Sequence, residues 1–309
     1  MQAENHTNSN ILNNVVTTSG LTKYYGVIKA VDNLTLNIPE KSVFGILGPN
    51  GSGKTTTLGM LLDVINPTSG SYSWFGKKPD KENRQKIGSI LETPAFYPYL
   101  SAVDNLRIVA EIKGIGYGNI DEVLNITGLY DRRNSAFRTF SLGMKQRLAL
   151  ASALLCDPLV MILDEPTNGL DPRGIAEIRE LIREIAARGK TIILASHLLD
   201  EVQKVCTHFA VLNKGQLLHS GPVYETQLAE QRLELAANDL VNLKEVLESF
   251  PEMKKIETTG DTITITLPGQ VQISDVRRYV FEHGIFVTHL VSLKKSLETQ
   301  FLEILNEPA

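Results

Sequence analysis

The chain has 309 residues, of which 42% are hydrophobic and 21% are charged, proportions that are ordinary for a soluble globular protein. This length suffices for one large domain or for two smaller ones with a sizeable core. With 31 basic and 35 acidic residues the net charge is −4, which disfavours nucleic acid as a partner. The two cysteines, Cys156 and Cys206, lack the spacing of a metal-binding pair and suit a reducing compartment.

The N-terminal segment, residues 1–19, is polar and rich in asparagine. It lacks the apolar centre of a signal peptide and is predicted to form a weakly ordered tail. The most apolar long stretch, residues 148–163, is interrupted by Asp157-Pro158 and is too short to span a bilayer. Any role at a membrane is therefore predicted to depend on a partner.

Alternating apolar residues between Val31 and Ile38 predict strands with one buried face. Tyr25 precedes a glycine just before this segment. Its ring suits stacking on a nucleotide base, and it equally suits packing at the edge of a sheet. The residues alone leave both interpretations open.

A glycine-rich loop follows the apolar run of residues 43–47 and precedes a helical pattern. It reads Gly48-Pro49-Asn50-Gly51-Ser52-Gly53-Lys54-Thr55-Thr56. Strand, glycine-rich loop and helix in this order are typical of a phosphate-binding loop, in which backbone N–H groups and the helix dipole face the anion. In this interpretation Lys54 reaches the β- and γ-phosphates of a nucleotide, and the Thr55 hydroxyl binds Mg²⁺.

Apolar strands alternate with amphipathic helices through the centre of the chain. Strands are predicted at residues 87–92, 159–163 and 191–195, and helices begin after the N-cap residues Ser101 and Ser141. This alternation predicts an α/β fold in which helices cover a largely parallel sheet.

Charged side chains follow two of these strands, at the sheet edge where parallel sheets bind ligands. Asp164 is predicted to hold Mg²⁺, directly or through water, and Glu165 to orient or deprotonate an attacking water. His197 follows the strand at 191–195. As a lone histidine it either has a structural role or contacts the γ-phosphate.

The pattern changes after Gly221-Pro222, and residues 224–309 are predicted to form a small α+β domain. Residues 262–267 alternate as a half-exposed strand does, and Leu297, Phe301 and Leu305 indicate a terminal amphipathic helix.

Together these motifs resemble the nucleotide-binding subunit of an ATP-binding cassette (ABC) transporter, closely over residues 20–223. The resemblance makes Tyr25 the base-stacking aromatic, residues 48–56 the Walker A loop and residues 159–165 the Walker B strand. It makes residues 168–171, ending at Asp171, the D-loop, and His197 the switch histidine. It implies a P-loop NTPase cassette with a RecA-like parallel sheet core, an antiparallel β subdomain and a helical subdomain at about residues 95–157, binding ATP and Mg²⁺.

The family signature LSGGQ is similar to Phe140-Ser141-Leu142-Gly143-Met144. The residues alone make Ser141 an ordinary helix N-cap. The resemblance implies instead that Ser141 and Gly143 receive the γ-phosphate of an ATP bound to a second subunit, so that two subunits enclose two ATP molecules.

Two positions depart from the family pattern. Leu142 replaces the first signature glycine, and Glu92 stands where the family has the Q-loop glutamine. The resemblance implies that Glu92 contacts the nucleotide and its Mg²⁺ or water. The segment 92–98, taken with the signature, resembles the ABC-2 branch, which includes ATPases of bacitracin and lantibiotic resistance and of gliding motility.

The resemblance implies an ATPase at the cytoplasmic face of the cell membrane that powers a separate ABC-2-type permease. It implies export of a small molecule, peptide antibiotic or lipid-like substrate, with a second copy of the chain as partner and without nucleic acid. The alternatives are a soluble ABC ATPase acting on ribosome or DNA, and a regulatory ABC subunit that does not transport. A single cassette without sustained heptads disfavours the first, and the presence of Glu165 and His197 disfavours a subunit that does not hydrolyse ATP.

Overall fold

A computed structural model describes residues 13–91, 95–223, 230–268 and 270–293 of the chain. Contacts divide the chain into two compact units between Ser220 and Gly221, close to the boundary predicted after residue 223. Within the described residues, no helix combines the length and the apolar character that crossing a bilayer requires.

The first unit opens with an antiparallel sheet of three strands in the order β2-β1-β4. These are β1 (Asn14–Tyr25), β2 (Ile28–Pro39) and β4 (Ser69–Trp74). The side chain of Trp74 closes this sheet against the first helix, because its Nε1–H donates to the carbonyl oxygen of Leu61 at 2.9 Å. The ring is 1% exposed.

Strand β1 corrects the prediction of a polar tail over residues 1–19, since it begins at Asn14. The prediction was wrong here because Val15 and Val16 are adjacent and do not alternate with polar residues. A register shift between Asn14 and Val16 interrupts the pairing of β1 with β2, and both valines are buried. Thr18 is also buried, with its hydroxyl donating to the carbonyl of Leu34 at 2.9 Å.

A second sheet in the first unit has the strand order β5-β6-β7-β3-β8-β9. Its strands are β3 (Val43–Leu47), β5 (Ile87–Ile90), β6 (Val160–Asp164), β7 (Thr191–Ser196), β8 (His208–Asn213) and β9 (Gln216–Pro222). Each neighbouring pair in the series β5-β6-β7-β3-β8 is parallel. Strands β3, β6 and β7 are buried along their whole length, as expected for a parallel sheet covered on both faces.

Among the helices of the first unit, the two that were predicted to begin after Ser101 and Ser141 do so. The described helices of this unit are α1 (Lys54–Leu61), α2 (Lys81–Gln85), α3 (Ala102–Lys113), α4 (Ile120–Ile126), α5 (Leu142–Leu154), α6 (Pro172–Ala187) and α7 (Leu199–Val205). Ser101 and Ser141 are the N-caps of α3 and α5, and each accepts a hydrogen bond from the backbone N–H three residues on. Helices α3 to α5 lie in the stretch predicted as the helical subdomain.

The described residues of the second unit form a four-stranded antiparallel sheet and two helices. Its elements are β10 (Glu230–Ala237), α8 (Leu240–Glu248), β11 (Lys255–Thr259), β12 (Thr262–Pro268), α9 (Ile273–Glu282) and β13 (Val287–Leu293). The strand order β11-β12-β10-β13 is that of a split β-α-β arrangement. The predicted terminal helix at Leu297, Phe301 and Leu305 lies outside the described residues.

Candidate active site

Two glycines, Gly48 and Gly53, allow the backbone conformation of the loop between β3 and α1. Gly53 has a φ of 104°, and a Cβ added there would lie 2.5 Å from the carbonyl oxygen of Ala30. A Cβ added at Gly48 would lie 2.3 Å from the carbonyl oxygen of Leu212. Only glycine fits either position, so the loop can lie close to the backbones of β2 and β8.

Lys54, the first residue of α1, is buried although it is charged. It is 5% exposed, and its Nζ donates to the carbonyl oxygens of Gly48 at 2.8 Å and Pro49 at 3.3 Å. Nζ also lies 3.5 Å from Oε1 of Glu165. A buried ammonium is tolerated when it is hydrogen-bonded and paired in this way. The ammonium group of Lys54 is therefore held in a fixed position beside the loop.

Thr55 and Asp164 bring two oxygen ligands together. The Thr55 hydroxyl donates to Oδ2 of Asp164 at 2.8 Å, although the residues are far apart in sequence. Asp164 ends β6 and is 6% exposed. Hydroxyl and carboxylate oxygens are hard ligands of the kind that Mg²⁺ prefers, and this ion commonly keeps waters and substrate phosphates in its remaining positions. The residues present thus fit Mg²⁺.

Glu165 directly follows β6 and contacts one side chain from α1 and one from the residue after β7. Its carboxylate lies between two cationic or hydrogen-bonding side chains: Oε1 faces Lys54, and Oε2 lies 2.8 Å from Nδ1 of His197. The backbone of Glu165 has a φ of 47°, a left-handed conformation that costs energy for a residue with a Cβ. The backbone N–H of Glu165 donates to the carbonyl oxygen of Ala195 at 3.0 Å, which fixes this conformation against β7.

A cavity of about 580 Å³ opens over this group of side chains. Its lining includes the predicted residues Tyr25, Asn50, Gly51, Gly53, Lys54, Thr55, Thr56 and Glu165. Tyr25 is 48% exposed, so its ring is available to a ligand and is not packed into the sheet. Ser52 lies within the loop but is buried, and its hydroxyl has no hydrogen-bond partner among the described residues.

Sequence reasoning missed Lys29 and Lys214, which also line this cavity. Lys29 lies in β2, where Asp32 accepts from it at 3.0 Å and its Nζ lies 5.4 Å from the centre of the Tyr24 ring. Hydrogen bonds with Tyr24 and then Asp32 raise the pKa of Lys29. Its position just after Tyr25 is a signal that could have found it, whereas Lys214 lies far along the chain.

Ser141, Gly143 and Asp171 do not line this cavity. They meet around a second one of about 490 Å³ in the same unit, between the start of α5 and the start of α6. Asp171 is the N-cap of α6, with Oδ1 accepting from the backbone N–H of Gly174 at 2.8 Å. Leu142 is 49% exposed, and its Cδ2 lies 3.3 Å from the position of a Cβ added at Gly169.

An ion-pair network that the sequence did not predict joins these two helices. Arg147 of α5 pairs with Oε2 of Glu177 in α6, and Arg173 donates to Oε1 of Glu177 at 3.0 Å. The hydrogen bond from Arg173, followed by the charge of Arg147, lowers the pKa of Glu177. The remaining predicted site residue, Glu92, lies outside the described residues.

The fold and this arrangement of side chains are those of a nucleotide-hydrolysing protein with a phosphate-binding loop. A family model described as ABC transporter matches residues 31–168. The bacitracin transport ATP-binding protein BcrA of Bacillus licheniformis is 40% identical over 300 residues, which are 95% of this chain and 98% of that protein. The chain therefore belongs to the ATP-binding proteins of ABC transporters and is an ATPase that binds ATP.

Two further comparisons agree with this assignment. The lantibiotic transport ATP-binding protein SrtF of Streptococcus pyogenes is 40% identical over 198 residues, which cover 64% of this chain and 86% of that protein. A dimeric ATP-binding cassette solved in a post-hydrolysis state with ADP and Pi is 27% identical, with a TM-score of 0.60 over 67% of this chain and 98% of that one. The predicted cassette fold is thus confirmed, and a membrane permease and a paired cassette are the partners of this family.

Proposed function

We propose that the chain is the ATPase subunit of an exporter that removes a peptide antibiotic, and that it works at the cytoplasmic face of the membrane on a separate ABC-2-type permease. The support comes from relatives similar over nearly their full length. Two bacitracin transport ATP-binding proteins are 40% and 34% identical to it and are covered over 98% and 97% of their lengths. Because the first of these similarities covers 95% of this chain, it extends into the second unit.

The position of Glu165 between Lys54 and His197 carries the chemical proposal. Glu165 orients a water molecule and accepts its proton as the water oxygen bonds to the γ-phosphorus of ATP. The bond from that phosphorus to the oxygen bridging to the β-phosphate breaks, and ADP leaves with the electron pair. Phosphoryl transfer demands mostly positioning and charge neutralisation, and a carboxylate held on both sides meets that demand.

The other groups of the first cavity hold the nucleotide. Lys54 and the backbone of the loop bind the β- and γ-phosphates, and Tyr25 stacks on the base. Thr55 and Asp164 hold Mg²⁺, with Glu92 contributing through the ion or its water. When bound, this ion neutralises the negative charge that develops on the phosphate oxygens. His197 contacts the γ-phosphate while keeping its hydrogen bond to Glu165.

Two copies of the chain complete each site. Ser141 and Gly143 lie at the N-terminal end of α5, where backbone N–H groups favour an anion, yet they line a different cavity from Lys54. In a two-fold symmetric pair, the second cavity of one copy closes over the ATP of the other. Asp171 then lies at the boundary between the copies. Closure on ATP and reopening after hydrolysis move the permease between two states that differ in their affinity for ATP.

Antibiotic susceptibility of the strain that carries this chain tests the proposal. Replacement of the wild-type chain by Glu165→Gln is expected to raise susceptibility to bacitracin or to a lantibiotic as much as deletion of the chain does. Glu40→Gln is the matched control, because Glu40 is exposed and lies in the turn between the end of β2 and the start of β3, outside the cavity lining. If the Glu165→Gln strain lost ATPase activity but kept wild-type susceptibility to both, the peptide-antibiotic substrate would be wrong while the ATPase assignment stood.

A further inference from the structure

The buried carboxyl group of Glu201 is linked by hydrogen bonds to the turn that contains His197. The hydroxyl of Ser196, which is 0% exposed, accepts from the backbone N–H of Leu198 at 3.0 Å and donates to Oε2 of Glu201 at 3.2 Å. Ser196 and Leu198 flank His197 on both sides. Glu201 therefore reaches the residues on either side of His197 through a single hydroxyl group.

Glu201 is an unusual residue for its position. It lies in the first turn of α7 and is 5% exposed, whereas glutamate is rarely buried without a charged partner. Within the described residues no ion pair of Glu201 is found, and its Oε1 has no hydrogen-bond partner. The adjacent Asp200 differs in both respects, since it is exposed and pairs with Lys204 at 2.7 Å and with Arg179 at 3.4 Å.

The burial of Glu201 therefore has a cost that no ion pair with another described residue offsets. The contribution of the Glu201 carboxyl group is to restrict the conformation of the backbone around His197. With Ser196 held between Glu201 and Leu198, the backbone on both sides of His197 has little freedom to rotate. The 2.8 Å contact between Nδ1 of His197 and Oε2 of Glu165 depends on that backbone, because the two residues follow the ends of different strands.

We propose that Glu201 is a positioning residue for ATP hydrolysis, which acts through Ser196 to hold the imidazole of His197 against Glu165. The inference rests on the proposed roles of His197 and Glu165. Glu201 itself touches neither ATP nor the attacking water. Its removal leaves nucleotide binding intact and loosens the group that orients Glu165, and displacements of about 1 Å at a reacting centre cost about a hundredfold in rate.

The test measures kcat and KM for ATP with the full chain carrying Glu201→Ala, Glu201→Gln or Ser196→Ala. Glu201→Ala and Ser196→Ala are expected to lower kcat by about tenfold to a hundredfold with KM unchanged. Glu201→Gln is expected to retain most of the wild-type kcat, because the amide oxygen of the glutamine accepts the same hydrogen bond from Ser196. The matched control is Asp200→Asn on the same turn, which is expected to keep wild-type kcat. Ser196→Ala serves as the test should Glu201→Ala fail to fold.

A double-mutant cycle with His197→Ala separates this inference from the proposed function. If Glu201 acts through His197, the double variant turns over no more slowly than His197→Ala alone. Rate losses that multiply would overturn the inference, as would wild-type kcat in Glu201→Ala or Ser196→Ala beside an inactive His197→Ala. Wild-type turnover in His197→Ala would instead overturn the proposed role of His197 itself.

Discussion

Nδ1 of His197 and Oε2 of Glu165 lie 2.8 Å apart although 32 residues separate them in the chain. They meet because β6 and β7 are adjacent and parallel, with Asp164 in register with Ala195, so the residues that follow each strand emerge at the same edge of the sheet. A helix, α6, occupies most of the connection between them. The contact is thus a product of topology, and the chemistry proposed for the site depends on it.

Glu165→Gln is expected to retain ATP binding and to lower steady-state hydrolysis by about a hundredfold or more. The amide keeps the size and the contact with His197 but cannot accept a proton from water, and general bases contribute rate factors of about this size. Nucleotide affinity by fluorescence titration and phosphate release measure the two quantities. Turnover equal to that of the wild-type chain would remove Glu165 from the mechanism.

Lys54→Ala is expected to weaken ATP binding by about tenfold to a hundredfold, because the loss of a charge-assisted hydrogen bond costs about 1.5–3 kcal/mol. Isothermal titration with ATP measures the change. Lys78→Ala removes an exposed lysine from another part of the same unit and is expected to leave the affinity unchanged. Wild-type affinity in Lys54→Ala would contradict the assignment of residues 48–56 as the phosphate-binding loop.

Ser141→Ala and Ser101→Ala form a matched pair, since both serines are N-caps that accept from a backbone N–H. Each substitution is expected to cost about 1 kcal/mol of unfolding free energy. Only Ser141→Ala is expected to reduce hydrolysis, because its hydroxyl also completes the site of the second copy. Denaturant unfolding and ATPase assays distinguish the two effects, and an equal loss of activity in both variants would leave Ser141 as a cap alone.

The two free cysteines are expected to differ in reactivity at pH 8. Burial, together with the nearby charge of Glu201, raises the pKa of the Cys206 thiol far above its usual range. At pH 8 this thiol stays protonated, and only the thiolate reacts with alkylating reagents. Cys156 is partly exposed. Mass spectrometry after brief iodoacetamide treatment should find Cys156 modified and Cys206 intact. Denaturant should abolish the difference, and equal labelling in the folded chain would contradict the burial of Cys206.

Sequence reasoning predicted the positions of residues correctly where the pattern lies in consecutive residues. The phosphate-binding loop is one continuous segment, and the placement of Glu165 and His197 at one edge follows from the rule that parallel strands end together. Strand β1 escaped prediction at its start because a register shift buries Val15 and Val16 side by side. Alternation is the signal for strands, and a bulge removes it.

The parts that could not be predicted depend on contacts between distant elements. Lys214 lines the first cavity because the close packing of Gly215 brings its turn to the loop. The pairing of Arg147 with Glu177 depends on how α5 lies against α6. In the sequence, nothing distinguishes Glu201 from other acidic residues at the start of a helix. Its burial became visible only in the folded chain, because it results from the packing around α7 and no periodicity records it.

The proposed division of the site between two cavities, one from each copy of the chain, has a genetic consequence. Consider a pair in which one copy carries Lys54→Ala and the other carries Ser141→Ala. One composite site then contains both defects, while the other combines the intact loop of one copy with the intact Ser141 of the other. Two alleles that are each impaired alone should therefore complement one another when they are expressed together.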